Sequence, residues 1–497
     1  MENQLFNQKF KVAFGLIVLA EILSWLFLSH SALNGFTALL IGAGAFILSC
    51  KKISYGFYLL LIELLIGSKG YLFFLNLGDF KISLRIILFV AVLTAWLFQM
   101  IKNKSSIFSQ DINPLEKVLD KNYLTIDKKI TVSFLLLCLL VLIGGLSGFL
   151  HNQFHDWFFD LNGWLYLLLW PVFFQALAEK NAWQNTLNFF FAGILYLSLK
   201  SLLIFWAFSW QLADLSSYAY FWIRNTGVGE ITLVINNFYR IFFQSHVFIA
   251  IGLIISLIYL MFRRNTPLEK KWLSLTAIAS SLSILISLSR SFWVGLFGAL
   301  LALIFWLLIS RRLNFAVLGK FAAIALITLV LEIGFLCLTS NTLKPQIFWG
   351  RLGGSNAEAA GSSRLNQLKP LIKEIKKDWL LGSGFGSTAT YISNDPRIRQ
   401  EFPDGKYTTY AFEWGYLDIW LKIGALGILA YLWLIIIVAE ALLKQGITGL
   451  ALFLGLIFLS LTNIFSPYLN HPLGIGYLLL CLAAVNLLKP NHGIEKA

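Results

Sequence analysis

Apolar blocks long enough to cross a hydrocarbon core of ~30 Å recur along nearly the whole chain. They lie near 12–29, 33–50, 53–66, 84–101, 130–150, 163–178, 187–208, 241–262, 272–288, 291–309, 315–338, 415–439, 447–465 and 472–488, and 53–66 is the weakest. An unpaired backbone group in lipid costs several kcal/mol, so a spanning segment must be a helix or a strand of a closed barrel. Apolarity here is continuous rather than alternating, which excludes the barrel. A mean hydropathy of +0.74, with 58% hydrophobic and 13% charged residues, agrees. The expected fold is all-α, a polytopic transmembrane helix bundle of about 12–14 spans. It forms a single membrane domain over 1–497 with no separate soluble catalytic domain. The first block runs at once into a second with no small-residue cleavage site between them, so it reads as a retained span.

The loops separate by charge. Lys9 and Lys11, Lys51 and Lys52, the Lys-rich 102–129 linker, Lys180, Arg263 and Arg264 with Lys270 and Lys271, Arg311 and Arg312, Lys444, and Lys489 with Lys496 fall on alternate loops. The bias of Lys and Arg toward the cytoplasm assigns all of these, and both termini, to that side. The segments 67–82, 151–162, 209–240, 339–411 and 466–471 then face outward. The net charge of +14 is mostly topological and gives no argument for a nucleic-acid partner. Cys50, Cys138, Cys337 and Cys481 lie in or at the ends of apolar blocks, at no metal-site spacing and in no disulfide framework. His151 and His155 stand beside Asp156 without further ligands nearby in sequence, so no metal site is expected. No Asp-x-Asp and no Gly-x-x-x-x-Gly-Lys-Ser/Thr occurs, which removes the metal-bridged nucleotide-sugar site and nucleotide hydrolysis from consideration.

The run from about Ser340 to Tyr410 is the one long water-compatible segment, and chemistry should gather there. Within it, Leu365, Leu368, Leu371, Ile372, Ile375 and Trp379 recur at helical spacing, predicting an amphipathic surface helix from Ser363 to Leu381. Gly382, Gly384 and Gly386 are expected to end it. Arginines on outward segments have no topological reason to be there. Arg85 begins an apolar block, Arg224 and Arg240 lie in the first large outward loop near Glu230 and Gln244, Arg290 sits in Ser287-Leu288-Ser289-Arg290-Ser291 between two spans, and Arg364 opens the surface helix. Arg351, Arg397 and Arg399 read as solvated. A guanidinium matches phosphate oxygens and keeps its charge, so several converging at the outer leaflet would suit a diphosphate. The alternative for each is snorkelling to the interface or pairing with a nearby acid. Glu413 is read in the first turn of the span after the loop, either as a helix-end charge favoured by the dipole or as a general base facing an incoming hydroxyl.

At these motifs the chain resembles the O-antigen ligase and polymerase superfamily of bacterial membrane glycosyltransferases. The resemblance rests on Ser289-Arg290-Ser291 followed by Trp293 and Gly295, on Arg364-Leu365 followed by Leu381-Gly382-Ser383-Gly384-Phe385-Gly386, and on Tyr416-Leu417 followed by Gly424 and Gly427. Arg85, Arg240 and the Asn463–Tyr468 turn are similar with weaker specificity. Where the family usually has a His-Asn pair, Glu413-Trp414 stands here. The resemblance implies an inverting, metal-independent transfer of a glycan from undecaprenyl diphosphate to an acceptor glycan, lipid or protein. The reaction would run at the outer face of the bacterial inner membrane, without a cofactor. Together with the outward arginines and Glu413 as read above, it points to Glu413, Arg290 and Arg364 for catalysis and to Arg240, Arg224, Arg85 and Tyr416 for substrate binding. Polymerase and ligase remain alternatives. A lipid-linked oligosaccharide flippase or other polytopic transporter is the reading from a different class. Transporters commonly show internal repeats and broken helices at mid-depth, and no convincing repeat is present.

Overall fold

A computed structural model of the chain describes residues 4–78, 80–107, 128–179, 181–226, 229–235, 237–312, 315–339, 355–394 and 396–487. Seven helices among the described residues are long and apolar enough to cross a membrane: Gln8–Phe27, Ser31–Lys51, Leu84–Lys102, Lys128–His151, Ala182–Ser209, Arg290–Ile309 and Gly415–Leu443. Large apolar side chains such as Phe297, Leu301 and Ile436 project outward from them, as a surface solvated by lipid requires. Two of the shorter apolar helices are enclosed by the others. His246–Phe262 and Gly446–Thr462 are apolar on nearly every side and are packed on nearly every side. The all-α bundle is therefore observed. Three two-stranded antiparallel hairpins are the sheet structure among the described residues, and all lie in segments between helices.

Two blocks read as spans fold differently. Block 53–66 becomes Ile53–Ile66, a helix of 14 residues, about 21 Å long at 1.5 Å per residue. Block 163–178 is broken into a 3-10 segment, Trp164–Leu169, and a short helix, Trp170–Leu177. Pro171 lacks an amide hydrogen and is tolerated only in a first turn, so the second helix begins there. Both pieces are buried in the bundle, where apolarity alone does not distinguish core from span.

The segments expected to face outward converge at one end of the bundle. Lys81 Nζ donates to the Asn225 carbonyl at 3.1 Å, Asn152 Nδ2 to the Phe385 carbonyl at 2.8 Å, and Asp160 accepts from the Gly386 amide at 2.7 Å. Lysines from the other set have their own contacts: Lys9 with Asn185 at 2.9 Å and Lys52 with Glu179 at 2.8 Å.

The two long segments carry structure of their own. Segment 209–240 holds the helix Tyr218–Asn225 and the first part of the hairpin Gly229–Ile235/Phe238–Phe243, in which Arg240 pairs with Thr232. In 339–411, the surface helix spans Ser355–Ile375, not Ser363–Leu381. Its packed stripe is Ser363, Gln367, Leu371 and Ile375, while Leu365 and Ile372 are exposed. Polar residues occupy that stripe because each is a hydrogen-bond partner: Ser363 Oγ accepts from the Asn394 amide and Gln367 Oε1 from the Glu413 amide. Hydrophobic spacing therefore found Leu371 and Ile375 of the packed stripe but not its polar members, Ser363 and Gln367. Arg351, the side chain of Arg397 and most of the 102–129 linker lie outside the described residues.

Candidate active site

Glu413 lies two residues ahead of the helix Gly415–Leu443, whose first turn holds Asp418 instead. Glu413 thus stands just outside the cap, beside a helix N-terminus that favours a carboxylate. Its carboxylate is hydrogen-bonded to Arg364 Nε. Trp414, at the helix cap, donates its indole N–H to the Arg364 carbonyl at 2.9 Å, so the two segments are tied twice. Arg290 opens the helix Arg290–Ile309, with no acid in that first turn. A cation at a helix N-terminus works against the macrodipole and gains from an anion placed beside it. Arg290 is close enough to Arg364 that, after burial, its charge is the second cause pushing the Arg364 pKa below the ordinary arginine value. Arg364 is paired with Glu413, and Arg290 lies nearby: its neighbour Ser291 accepts from Ser466 Oγ at 3.0 Å, and Phe465 packs on Trp414 with ring centroids 5.8 Å apart, so the region carries a positive excess. Such an excess suits a multiply charged oxyanion.

The remaining arginines fall at different distances from this group. Arg240 donates through Nε to the Ser287 carbonyl at 2.8 Å and stacks over Phe242, which ties it to the same Ser-Arg turn. Arg85 is elsewhere, in a buried pair with Glu63 at 2.8 Å and donating to the Ser68 carbonyl at 2.7 Å. Arg224 faces Glu230 at 3.6 Å. Tyr416 donates its hydroxyl to the Ser460 carbonyl at 2.8 Å. Arg290, Arg364 and Glu413 are thus brought together and Arg240 is linked to them through backbone, whereas Arg85, Arg224 and Tyr416 have partners of their own.

The glycine run supports the site rather than ending the surface helix. Gly382, Gly384 and Gly386 have φ of +81°, +83° and +81°. They carry the chain as an arch into the bundle, where Phe385 is buried and its amide donates to the Gly144 carbonyl at 3.1 Å. A Cβ on Gly384 would stand 2.3 Å from the Gly148 nitrogen, so only glycine fits. Opposite the arch, Gly415–Leu443 is interrupted at Gly424, with φ +71° and ψ −177°. The amides freed beyond the break are satisfied by the residues that lead into the arch: Ala425 donates to the Trp379 carbonyl at 2.9 Å and Leu426 to the Leu380 carbonyl at 3.2 Å. Ser383 in turn donates to the Leu421 carbonyl at 2.7 Å. Backbone of this kind is tolerated at membrane depth where protein covers it.

Beneath the arch lies an ion cluster that sequence reasoning missed. Lys422 Nζ sits 2.6 Å from Asp160 Oδ1 and 2.8 Å from Asp418 Oδ1, and it donates to the Tyr410 carbonyl at 2.7 Å. The Lys422 side chain is 1% exposed. Burial, reinforced by Asp418 and opposed by Lys422 and the Gly386 amide, pushes the Asp160 carboxyl up to about 6. Asp418 and Lys422 are charges one turn apart inside an apolar block, and that signal was available. Asp160 is 262 positions from Lys422 and left no trace that links them.

Residues 275–432 match the family model described as O-antigen ligase. That interval contains Arg290, Arg364, Glu413, the glycine arch and both Asp418 and Lys422. Arg85, Arg240 and Asp160 fall outside it. No curated protein matches the chain.

Proposed function

We propose, for a chain whose residues 275–432 match the O-antigen ligase family model, that it transfers a glycan from undecaprenyl diphosphate to an acceptor hydroxyl at the outer face of the bacterial inner membrane. The observation that carries this reading is the meeting of Arg290, Arg364 and Glu413 at one end of the bundle. The acceptor oxygen attacks the anomeric carbon from the face opposite the diphosphate. The carbon–oxygen bond to the diphosphate breaks with inversion, and undecaprenyl diphosphate leaves with the electron pair. Glu413 accepts the hydroxyl proton. Arg290 and Arg364 hold the charge that develops on the leaving group, the kind of fixed stabilisation that dominates many enzymatic rate enhancements. In the free protein Glu413 neutralises Arg364. An arriving diphosphate competes for that guanidinium and releases the carboxylate to act as base. Diphosphate is already a good leaving group, so positioning and charge are the main tasks left to the protein.

One such contact is worth ~3 kcal/mol, about two orders of magnitude in rate. Arg290→Ala and Arg364→Ala should abolish product formation from a lipid-linked donor in detergent while protein levels in the membrane stay unchanged. Glu413→Gln should lose turnover with donor binding retained. Undiminished activity in these variants would remove the assigned roles. Detergent also separates this reading from a transporter, which moves its cargo across a bilayer and forms no glycosidic bond.

A further inference from the structure

The helix Gly415–Leu443 marks the lipid boundary. Its large exposed apolar side chains begin at Leu426 and continue through Leu429, Trp433 and Ile436. From Ala425 to Leu443 it is about 28 Å long at 1.5 Å per residue, close to a hydrocarbon core of ~30 Å. One edge of the hydrocarbon therefore lies near Ala425. Trp379, Leu380 and Leu381 are held at that level, because the Trp379 carbonyl accepts from the Ala425 amide and from the Trp420 indole N–H at 2.8 Å, and the Leu380 carbonyl from the Leu426 amide. All three side chains are exposed. A tip of this composition at this depth belongs in lipid, as interfacial tryptophans do.

Just before the tip the chain is strongly basic. Lys369 and Lys373 are exposed on the face of the helix Ser355–Ile375 turned away from its packed stripe, and Lys376 and Lys377 are exposed just beyond its end. Glu374 pairs with Lys377 and Asp378 accepts from Ser383 Oγ at 3.2 Å, which leaves Lys369, Lys373 and Lys376 without an ion-pair partner among the described residues. Lysines on an outward segment run against the bias that explains the others. They need a local anion. Two grooves meet here. One, of about 920 Å³, is lined by the four lysines with Thr388 and Thr390. The other, of about 810 Å³, combines apolar Ile143, Leu380 and Leu381 with Asn152 and Ser383. Glu374, Lys377 and Thr388 border both, so a basic groove is continuous with one that has apolar walls at the edge of the hydrocarbon.

We infer that these grooves hold an anionic phospholipid of the leaflet into which Trp379–Leu381 dips. Its phosphate lies among Lys369, Lys373 and Lys376, and its upper acyl carbons lie against Ile143, Leu380 and Leu381. Charge complementarity selects the headgroup, since a zwitterionic lipid brings a cation that the lysines repel. A soluble polyanion would match the lysines but leave the apolar tip in water. A prenyl diphosphate has the same two parts, but its diphosphate is claimed by Arg364, which bonds Glu413 on the packed side of the helix, away from the lysines. Binding of this phospholipid requires the segment to lie at the membrane surface and does not require glycosyl transfer.

The test uses the full-length protein in detergent. Native mass spectrometry follows retention of phosphatidylglycerol, phosphatidylcholine, farnesyl diphosphate and a sulfated pentasaccharide. Phosphatidylglycerol should bind about tenfold tighter than phosphatidylcholine or more, since each surface lysine contributes roughly fivefold. Lys369→Gln, Lys373→Gln and Lys376→Gln together should remove that preference, and the same three positions changed to arginine (Lys369→Arg, Lys373→Arg, Lys376→Arg) should keep it. All three side chains are exposed, and a thermal midpoint equal to wild type shows that the glutamine variant is folded. In nanodiscs, amides of 373–383 should exchange more slowly in phosphatidylglycerol than in phosphatidylcholine, and the glutamine variant should lose the difference. Equal retention of the two phospholipids, or a preference that survives the glutamine substitutions, overturns the assignment. Lysine-dependent binding of the pentasaccharide or of farnesyl diphosphate tighter than that of phosphatidylglycerol overturns it as well, giving the grooves to a soluble polyanion or to a prenyl carrier.

Discussion

Lys422 offers the sharpest test of how the interior is held. Its ammonium is shared by Asp160, Asp418 and the Tyr410 carbonyl at 2.6–2.8 Å, and the side chains of the two acids are 10% and 4% exposed. Replacing it with methionine keeps the stem but leaves two carboxylates facing each other without a counter-charge. Removing one partner of a buried ion pair costs about 3–5 kcal/mol, which at 1.36 kcal/mol per decade is roughly 10²- to 10⁴-fold in the folded-to-unfolded ratio. Neutralising the acids as well, in Lys422→Met with Asp160→Asn and Asp418→Asn, removes the stranded charge. Most of the lost stability should then return, because uncharged replacements of buried ion groups are often close to neutral. The assay is the midpoint of heat-induced loss of the monodisperse species in detergent, read for wild type, single and triple variants side by side. A single variant as stable as wild type, or a triple variant no better than the single one, would refute the argument that unpaired charge is the cost. The triple variant should still lose activity, since Tyr410 would no longer be anchored three residues from Glu413.

Three further outcomes follow from the same geometry. Gly384→Ala combines a left-handed backbone, which costs ~1–3 kcal/mol for a side-chain-bearing residue, with a Cβ 2.3 Å from the Gly148 nitrogen. It should lower the thermal midpoint and expose the segment around Phe385 to hydrogen exchange. Asp160 titrates at about 6, above its ordinary value, because burial opposes its charge. The fold therefore binds that proton more tightly than the unfolded chain does, so the stability it contributes is present at low pH and is lost as pH rises through about 6. Asp160→Asn should flatten this part of the pH–stability curve, and an unchanged curve would assign the slope to another group. Arg364→Lys keeps the charge but not the planar fork, so it should raise the donor KM and restore only a minor share of the activity lost in Arg364→Ala.

Helix after helix could be anticipated from composition, because lipid leaves a chain no other way to satisfy its backbone across a long apolar block. The exceptions were 53–66 and 163–178, where the same apolarity served the protein core. Arg290 and Arg364 drew notice for a related reason: a charge in such a sequence is expensive wherever it has no task. Their grouping with Glu413 was expected only through the family resemblance, since more than 70 residues separate Arg290 from Arg364 and no local pattern encodes which loops touch. The surface helix shows the same boundary, for hydrophobic spacing found Leu371 and Ile375 while hydrogen bonds from Asn394 and Glu413 placed Ser363 and Gln367 in the packed stripe.

Membrane residence, helical architecture and the residue types able to meet an anion are thus properties of the linear chain, set by the cost of exposing backbone and charge to hydrocarbon. The arch of Gly382–Gly386 against the break at Gly424, the Asp160–Lys422–Asp418 cluster and the grooves that meet at Lys377 belong to the tertiary structure. Each depends on groups remote in sequence being forced into contact, and contact energies act only once packing has brought their partners within a few ångströms.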